Sequence, residues 1–477
     1  MKISKILIIF VFLLNIFILC SCRKEETTTK DLVTTIDSRF IDMGRDFERI
    51  DINNLETPRT YEEDPIDPYD DFGEGLSYKI VAHANENTLY VDGAVIYLDD
   101  EDSSNIELYY EGSTETRIEI IDSYKCTPDL IETIDESQYI YISFKANKNA
   151  FPVINSGRKP YEDPFNDISN LYKLLINSKE ASYEGLILPD LFNLYKGEAE
   201  FDETIIRYMA YKPIEDNKKN PLIIWLHGAG EGGTSPEIAV LGNEVTALFK
   251  DEIQNYFKKD GSSGAYVLVP QCETMWMDAN GTGSYSAKSK SFYTEYLIAT
   301  IFDFVENNED IDTSRIYIGG CSNGGFMTFE MAFQLPDYFA AIYPICPGYL
   351  NTDVSQEMIY SLRNTPTWIV QSIDDVILNP KYYGEPIYAR LIEFNNNCFY
   401  TMFDKVRGTD MPDVNYIGHY SWVYLFNNEV KKVQSIKNIS YNKGTESNYG
   451  FIGTYEGGTE TVENYDGIWD WMSNQKR

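Results

Sequence analysis

The sequence predicts a doubly wound α/β sheet preceded by a small all-β sandwich. Three observations carry this prediction. Over residues 186–477, apolar strand-like runs alternate with helix-compatible stretches, the pattern of a largely parallel sheet with helices on both faces. Over residues 76–150, short runs of alternating polarity are separated by turn residues, the pattern of an antiparallel sandwich. Between them in importance stands Gly320-Cys321-Ser322-Asn323-Gly324, set after the β-prone run 315–318 and before the helix-compatible run 326–335. A serine flanked in this way sits on a sharp strand-to-helix turn with its hydroxyl exposed, and glycines two residues to either side relieve the crowding.

The chain has 477 residues and 43% hydrophobic content, enough for two domains plus tails. Its 75 acidic residues outnumber 40 basic ones, for a net charge of -35. Such a surface repels nucleic acid and anionic lipid headgroups, so neither is expected as a partner.

The N-terminus departs from this polarity. Met1-Lys2-Ile3-Ser4-Lys5 is basic and residues 6–19 form an apolar run interrupted by Asn15, too short to span a bilayer but suited to a secretory leader over residues 1–21. Leu19-Cys20-Ser21-Cys22 resembles the lipobox of bacterial lipoproteins. That resemblance implies lipidation of Cys22 and a chain held at the cell membrane facing outward, with the membrane engaged through this lipid alone. Residues 22–75 are polar and acidic without sustained periodicity and read as a flexible tether. The five remaining cysteines, Cys126, Cys272, Cys321, Cys346 and Cys398, are an odd, widely spaced set with no Cys-x-x-Cys or paired His. They predict neither a disulfide scaffold nor a zinc site, though one bridge among the last four stays open.

Taken in order, the sandwich strands include 78–82, 88–91, 94–98, 106–110, 116–121 and 138–144, and its expected type is immunoglobulin-like. Residues 151–185 read as a connector. The α/β unit begins with strands at 204–211 and 221–226, the second nearly continuous in apolar residues, as a strand buried on both faces must be. A helix is expected over 238–257, a strand over 265–270, a helix over 292–306, and then the serine turn with its helix. Strands at 341–345, 367–371 and 399–403 follow, with a helix at 388–395 and a last helix near 468–472.

Ser322 is a weak nucleophile unless a base, an acid to orient it and an oxyanion hole are supplied. The chain holds only three His residues. His83 lies among sandwich strands, where a lone His is usually structural, and His227 opens the loop His227-Gly228-Ala229-Gly230-Glu231. His419, after the last strand, is left as the base. Asp374 and Asp375 end the strand before it; Asp375 is preferred as the orienting acid and Asp374 is the alternative. The oxyanion donors expected are the amide of Asn323 and that of Ala229, with Gly228 or Gly230 as other possible donors. Trp276 follows a strand end and is a candidate pocket residue, as are Gly228 and Gly230. No metal and no cofactor are expected.

Residues 186–476 resemble the α/β-hydrolase superfamily, and within it the bacterial esterases and predicted peptidases of feruloyl-esterase-like and prolyl-oligopeptidase-like type. The resemblance rests on residues 227–233, Pro270-Gln271, Met275-Trp276-Met277-Asp278, residues 312–325, Pro336-Asp337-Tyr338-Phe339, Asp374-Asp375 and Gly418-His419-Tyr420-Ser421-Trp422. Relatives often carry a His-Gly or His-Ala pair ahead of the acid, where this chain has Gln371-Ser372. The resemblance implies an acyl-enzyme route on a small-molecule or polysaccharide-linked ester. A serine peptidase is the first alternative, and a glycan-binding lipoprotein with an inactive hydrolase fold is the second.

Overall fold

The structure is a computed structural model. It describes residues 44–477 apart from 46, 68–71, 74, 100–104, 113–114, 135, 147–149, 151, 156–161, 215–217, 286–289 and 439–448. The expected leader, Cys22 and the expected tether up to residue 43 lie outside the described residues. No helix among the described residues is long and apolar enough to cross a membrane.

Strand β1 (Arg59–Glu62) is followed by a β module made of β2 (Ser77–Asn85), β3 (Thr88–Tyr97), β4 (Ile106–Glu111), β5 (Glu115–Ile118), β6 (Ile120–Cys126), β7 (Tyr139–Phe144), β8 (Tyr172–Ile176), β9 (Lys179–Glu180) and β10 (Ser182–Ile187). These form a five-stranded sheet, β10-β2-β3-β7-β6, and a four-stranded sheet, β5-β4-β8-β9. Alternate residues such as Ile80, Ala82, Ala94, Ile96 and Ile142 from one sheet share a core with Leu108, Leu174 and Ile176 from the other. The stretch 151–185 is therefore more than a connector. β8 pairs with β4, and β10 runs parallel to β2 across a register shift between Tyr183 and Leu186.

The α/β unit is built on a nine-stranded sheet. Its remaining strands are β11 (Tyr195–Glu200), β12 (Ile205–Tyr211), β13 (Asn220–Leu226), β14 (Tyr266–Gln271), β15 (Ile311–Cys321), β16 (Ala341–Ile345), β17 (Thr367–Ser372) and β18 (Cys398–Phe403). The order is β1-β11-β12-β14-β13-β15-β16-β17-β18. Pairing is antiparallel from β1 to β14 and parallel from β14 to β18. The pleat sends alternate side chains to opposite faces. Leu222, Ile224 and Ile318 meet Leu297 and Phe329, which come from the helices Thr294–Asn307 and Asn323–Gln334. Trp225, Tyr317 and Tyr343 meet Phe257, Trp469 and Trp471 on the other face. The expected helix over 238–257 is broken into Glu237–Leu241, a 3-10 turn Val245–Phe249 and Asp251–Phe257. The breaks fall at Glu244, whose φ is 56°, and at Lys250, which is extended.

The tether expectation also needs correction from residue 44 onward. Arg45 forms a buried ion pair with Glu330 of the helix after Ser322, the Phe47 ring meets Phe333 edge-on at 6.3 Å, and the Ile50 N–H donates to Gln334 Oε1 at 2.9 Å. β1 then extends the sheet on β11. The five described cysteines are free and buried, so the bridge left open above is not formed.

Candidate active site

Ser322 stands between β15 and its helix at φ 56° and ψ -110°, a conformation that costs a non-glycine residue energy and persists only where the surroundings enforce it. Here the Ser322 N–H donates to the Ile345 carbonyl at 3.0 Å, and its carbonyl accepts from the Phe326 and Gly348 amides at 3.0 and 2.9 Å. The flanking glycines are required by close approach: a Cβ on Gly320 would lie 2.4 Å from the Leu226 carbonyl oxygen, and one on Gly324 only 1.9 Å away. The Ser322 side chain is partly exposed, and its Oγ has no hydrogen-bond partner among the described residues.

His419 lies in a 3-10 turn, Gly418–Tyr420. Its Nδ1 is 2.9 Å from Asp375 Oδ2, with both side chains buried. The second oxygen of Asp375 accepts the Ile377 and Leu378 amides, each at 2.9 Å. Asp374 is exposed and accepts instead from Ser372 Oγ at 2.6 Å. Adjacent carboxylates thus face different ways, and the buried one meets the imidazole. Burial pulls the His419 pKa down, but the Asp375 carboxylate and hydrogen bonding at the neighbouring Cys346 sulfur outweigh it, so the pKa is raised well above 6.5.

Cys346, at the end of β16, was not singled out from the sequence as a site residue. Its sulfur and one ligand atom each of Asp375 and His419 lie within 4.8 Å of one another, the arrangement among the described residues that could hold a metal ion. Both Asp375 oxygens are already engaged in hydrogen bonds, which suits proton handling better than ligation. The only local signal for Cys346 was its place at a strand end beside the serine strand.

Loop 227–231 lies alongside β15. The Gly228 N–H donates to Glu231 Oε2 at 2.7 Å, so this amide is committed and Gly228 is removed as an oxyanion donor. Ala229 and Gly230 are exposed. The amides of Asn323 and Ala229 make no hydrogen bond to other described residues. A Cβ on Gly230 would meet open space, so no close approach there demands glycine. His227 is structural: Nε2 accepts the Cys272 amide at 3.3 Å, which leaves Nδ1 to donate to the Gly228 carbonyl at 2.6 Å.

Trp276 is 0% exposed, which removes it from an open pocket wall. Its ring packs 5.0 Å from His227 and edge-on to Tyr293 at 6.1 Å. Its backbone N–H donates to Asn323 Oδ1 at 2.5 Å, tying the loop after β14 to the start of the serine helix. The neighbouring Met277 is partly exposed, and its sulfur would lie 3.3 Å from a Cβ placed on Gly348, beside the serine turn.

The prolyl oligopeptidase family matches residues 292–375, a stretch that holds Ser322 and Asp375. Among curated proteins, the chain is similar to the poly(3-hydroxybutyrate) depolymerase of Ralstonia pickettii, at 29% identity over 140 residues, 28% of this chain and 26% of that protein. It is also similar to Cutinase est1 of Thermobifida alba, at 24% identity over 215 residues, 45% of this chain and 62% of that protein. The chain spans from 12% to 62% of the length of the curated relatives it matches. Among solved structures, a thermostable esterase shares the fold with a TM-score of 0.59 at 20% identity, over 74% of this chain and 96% of that one. The fold is that of the α/β-hydrolases. Within that class, the matches reach both the esterase and the prolyl-oligopeptidase-like groups.

Proposed function

We propose that the chain is a serine esterase that cleaves carboxylic esters through an acyl-enzyme. The observation that carries this is the buried 2.9 Å contact between His419 Nδ1 and Asp375 Oδ2, with Asp375 and the strained Ser322 turn both beyond the C-terminal ends of the parallel strands β17 and β15. Ser322 Oγ attacks the ester carbonyl while His419 takes the proton and later returns it to the leaving alcohol. Asp375 holds Nδ1–H and stabilises the imidazolium. The amides of Asn323 and Ala229 receive the oxyanion; loss of one such donor costs about 3–4 kcal/mol in comparable hydrolases. Water then repeats the cycle on the acyl-enzyme. None of these steps calls for a cofactor.

The substrate class is a small-molecule or polymer-linked ester, polysaccharide-linked esters included; relatives named for poly(3-hydroxybutyrate) and as a cutinase extend it toward polyesters. A peptidase is the second reading, favoured by the prolyl oligopeptidase match. Turnover of p-nitrophenyl acetate beside an aminoacyl p-nitroanilide, by the wild type and by Ser322→Ala, separates them. Ester turnover lost in the variant supports the first reading, and amide turnover alone supports the second.

Two further parts of the proposal concern the rest of the chain. The two-sheet β module is taken as an immunoglobulin-like sandwich, on its hairpins and its facing sheets. Residues 1–21 are taken as a leader and Cys22 as a lipid-bearing residue at the outer face of the cell membrane, on the pattern Leu19-Cys20-Ser21-Cys22. Replacement of Cys22 by Ala that left the chain partitioning with membranes would count against the anchor.

A further inference from the structure

The side chain of Glu86 carries the β module to the segment that holds His419. Glu86 sits in the two-residue turn between β2 and β3, and in most hairpins such a residue would point into water. Here it is 0% exposed. Its carboxylate accepts the Thr409 amide, the Asp410 amide at 2.7 Å and the Tyr416 hydroxyl at 2.7 Å. All three donors belong to the hydrolase unit, more than 320 residues further along the chain. A buried carboxylate is expensive unless its oxygens are satisfied, and charge-assisted hydrogen bonds of this kind are among the stronger ones. Among the described residues no Lys or Arg forms an ion pair with it.

These donors lie in the segment that delivers His419. β19 (Val406–Arg407) pairs with β20 (Asn415–Tyr416), and loop 408–414 between them is closed by the Gly408 N–H donating to the Val414 carbonyl at 2.9 Å. After Tyr416, one residue separates β20 from the turn that carries His419. The Tyr416 ring stacks on Tyr420 at 5.8 Å, Tyr420 lies 4.6 Å from Trp422, and Trp422 meets the His419 ring edge-on at 5.8 Å. On its other side the turn abuts the acid loop: a Cβ on Gly418 would lie 2.1 Å from Asp374 Oδ1. His419 is thus held between the acid loop of its own sheet and an aromatic wall whose outer member is hydrogen-bonded to Glu86.

We propose that Glu86 is a positioning residue for His419, so that the β module is a working part of the catalytic centre and not a separate appendage. This rests on the esterase reading of the same site. Glu86 touches no reacting atom; it fixes the backbone of 409–416 and the Tyr416 ring, and these set where the imidazole stands. Displacing a catalytic group by about 1 Å lowers turnover by roughly a hundredfold.

The test uses the full chain with Glu86→Ala, Glu86→Gln and Tyr416→Phe. Steady-state kinetics on p-nitrophenyl acetate and amide hydrogen exchange are measured on each. Glu86→Ala is expected to lower kcat by about ten- to a hundredfold with KM within about twofold, and to speed exchange within 404–420 while β13 and β15 stay protected. Glu86→Gln is expected to keep at least about a third of the wild-type kcat, because an amide oxygen still accepts from Thr409 and Asp410 and its NH2 group can meet the Tyr416 oxygen. Should Glu86→Ala not fold, Tyr416→Phe decides: a several-fold fall in kcat at unchanged KM supports the inference. Wild-type kcat in Glu86→Ala, or in a folded Tyr416→Phe when Glu86→Ala does not fold, overturns it, as does a loss in Glu86→Gln equal to that in Glu86→Ala. A wild type silent toward ester and fluorophosphonate alike would overturn the esterase reading instead, and the exchange data would still show whether Glu86 holds 404–420.

Discussion

Replacing Asp375 by Asn probes the centre with the smallest change of shape. Asp375 uses both oxygens: Oδ1 accepts two backbone amides and Oδ2 accepts from His419 Nδ1. An Asn has one oxygen, and two N–H donors at 2.9 Å compete for it. The side-chain NH2 is then left facing His419, and Nδ1 must accept instead of donate. The ring proton moves to Nε2, and the base has no lone pair for the Ser322 hydroxyl. A wrong tautomer of this kind lowers kcat by about 10⁴ in serine hydrolases, or about 5 kcal/mol at 1.36 kcal/mol per decade. The assay is initial-rate hydrolysis of p-nitrophenyl acetate by Asp375→Asn and Asp374→Asn in parallel, with circular dichroism to show that both fold. Asp374 bonds Ser372 and not the imidazole, so its variant is expected within about threefold of the wild type. A loss below tenfold in Asp375→Asn, or equal losses in the two variants, would refute the reasoning.

Three other consequences follow from the structure. The raised His419 pKa means that the acid limb of kcat/KM lies above pH 6.5, because only the neutral imidazole is a base; a pH profile with its midpoint at or below 6.5 would contradict this. Stability runs the other way: the imidazolium–carboxylate contribution is fully present below the unfolded value and fades as pH rises through the folded one, which urea melts across that range would register. Arg45→Ala leaves Glu330 buried without its cation, since the two side chains are 4% and 0% exposed. Its expected destabilisation is about 3–5 kcal/mol, against no more than about 1 kcal/mol for Arg59→Ala at the exposed pair with Glu200.

Much of the hydrolase unit was legible because its signals are local. The serine turn carries its own glycines, and β13 and β16 are short apolar runs between turn signals. Scarcity made His419 stand out among three His residues. What escaped reading depends on distant partners. Residues 44–62 look like an acidic tail because β1 is an edge strand with outward-facing residues, and their anchors, Glu330 and Phe333, lie far along the chain. β8, β9 and β10 are short, and β10 is interrupted by a bulge and by Gly185 at φ 135°. Trp276 shows the limit of residue type as a guide: it was expected to line a pocket, but the His227 and Tyr293 rings enclose it. Glu86 was one acid among 75, and only the fold reveals that it is buried across an interface.

The most direct test of the central claim is to treat the protein with a fluorophosphonate and map the adduct by peptide mass spectrometry. A single phosphonylated site at Ser322, absent from Ser322→Ala and formed at least about a thousandfold more slowly in His419→Ala, is the predicted result. Labelling elsewhere, or labelling at Ser322 that does not depend on His419, would contradict the account.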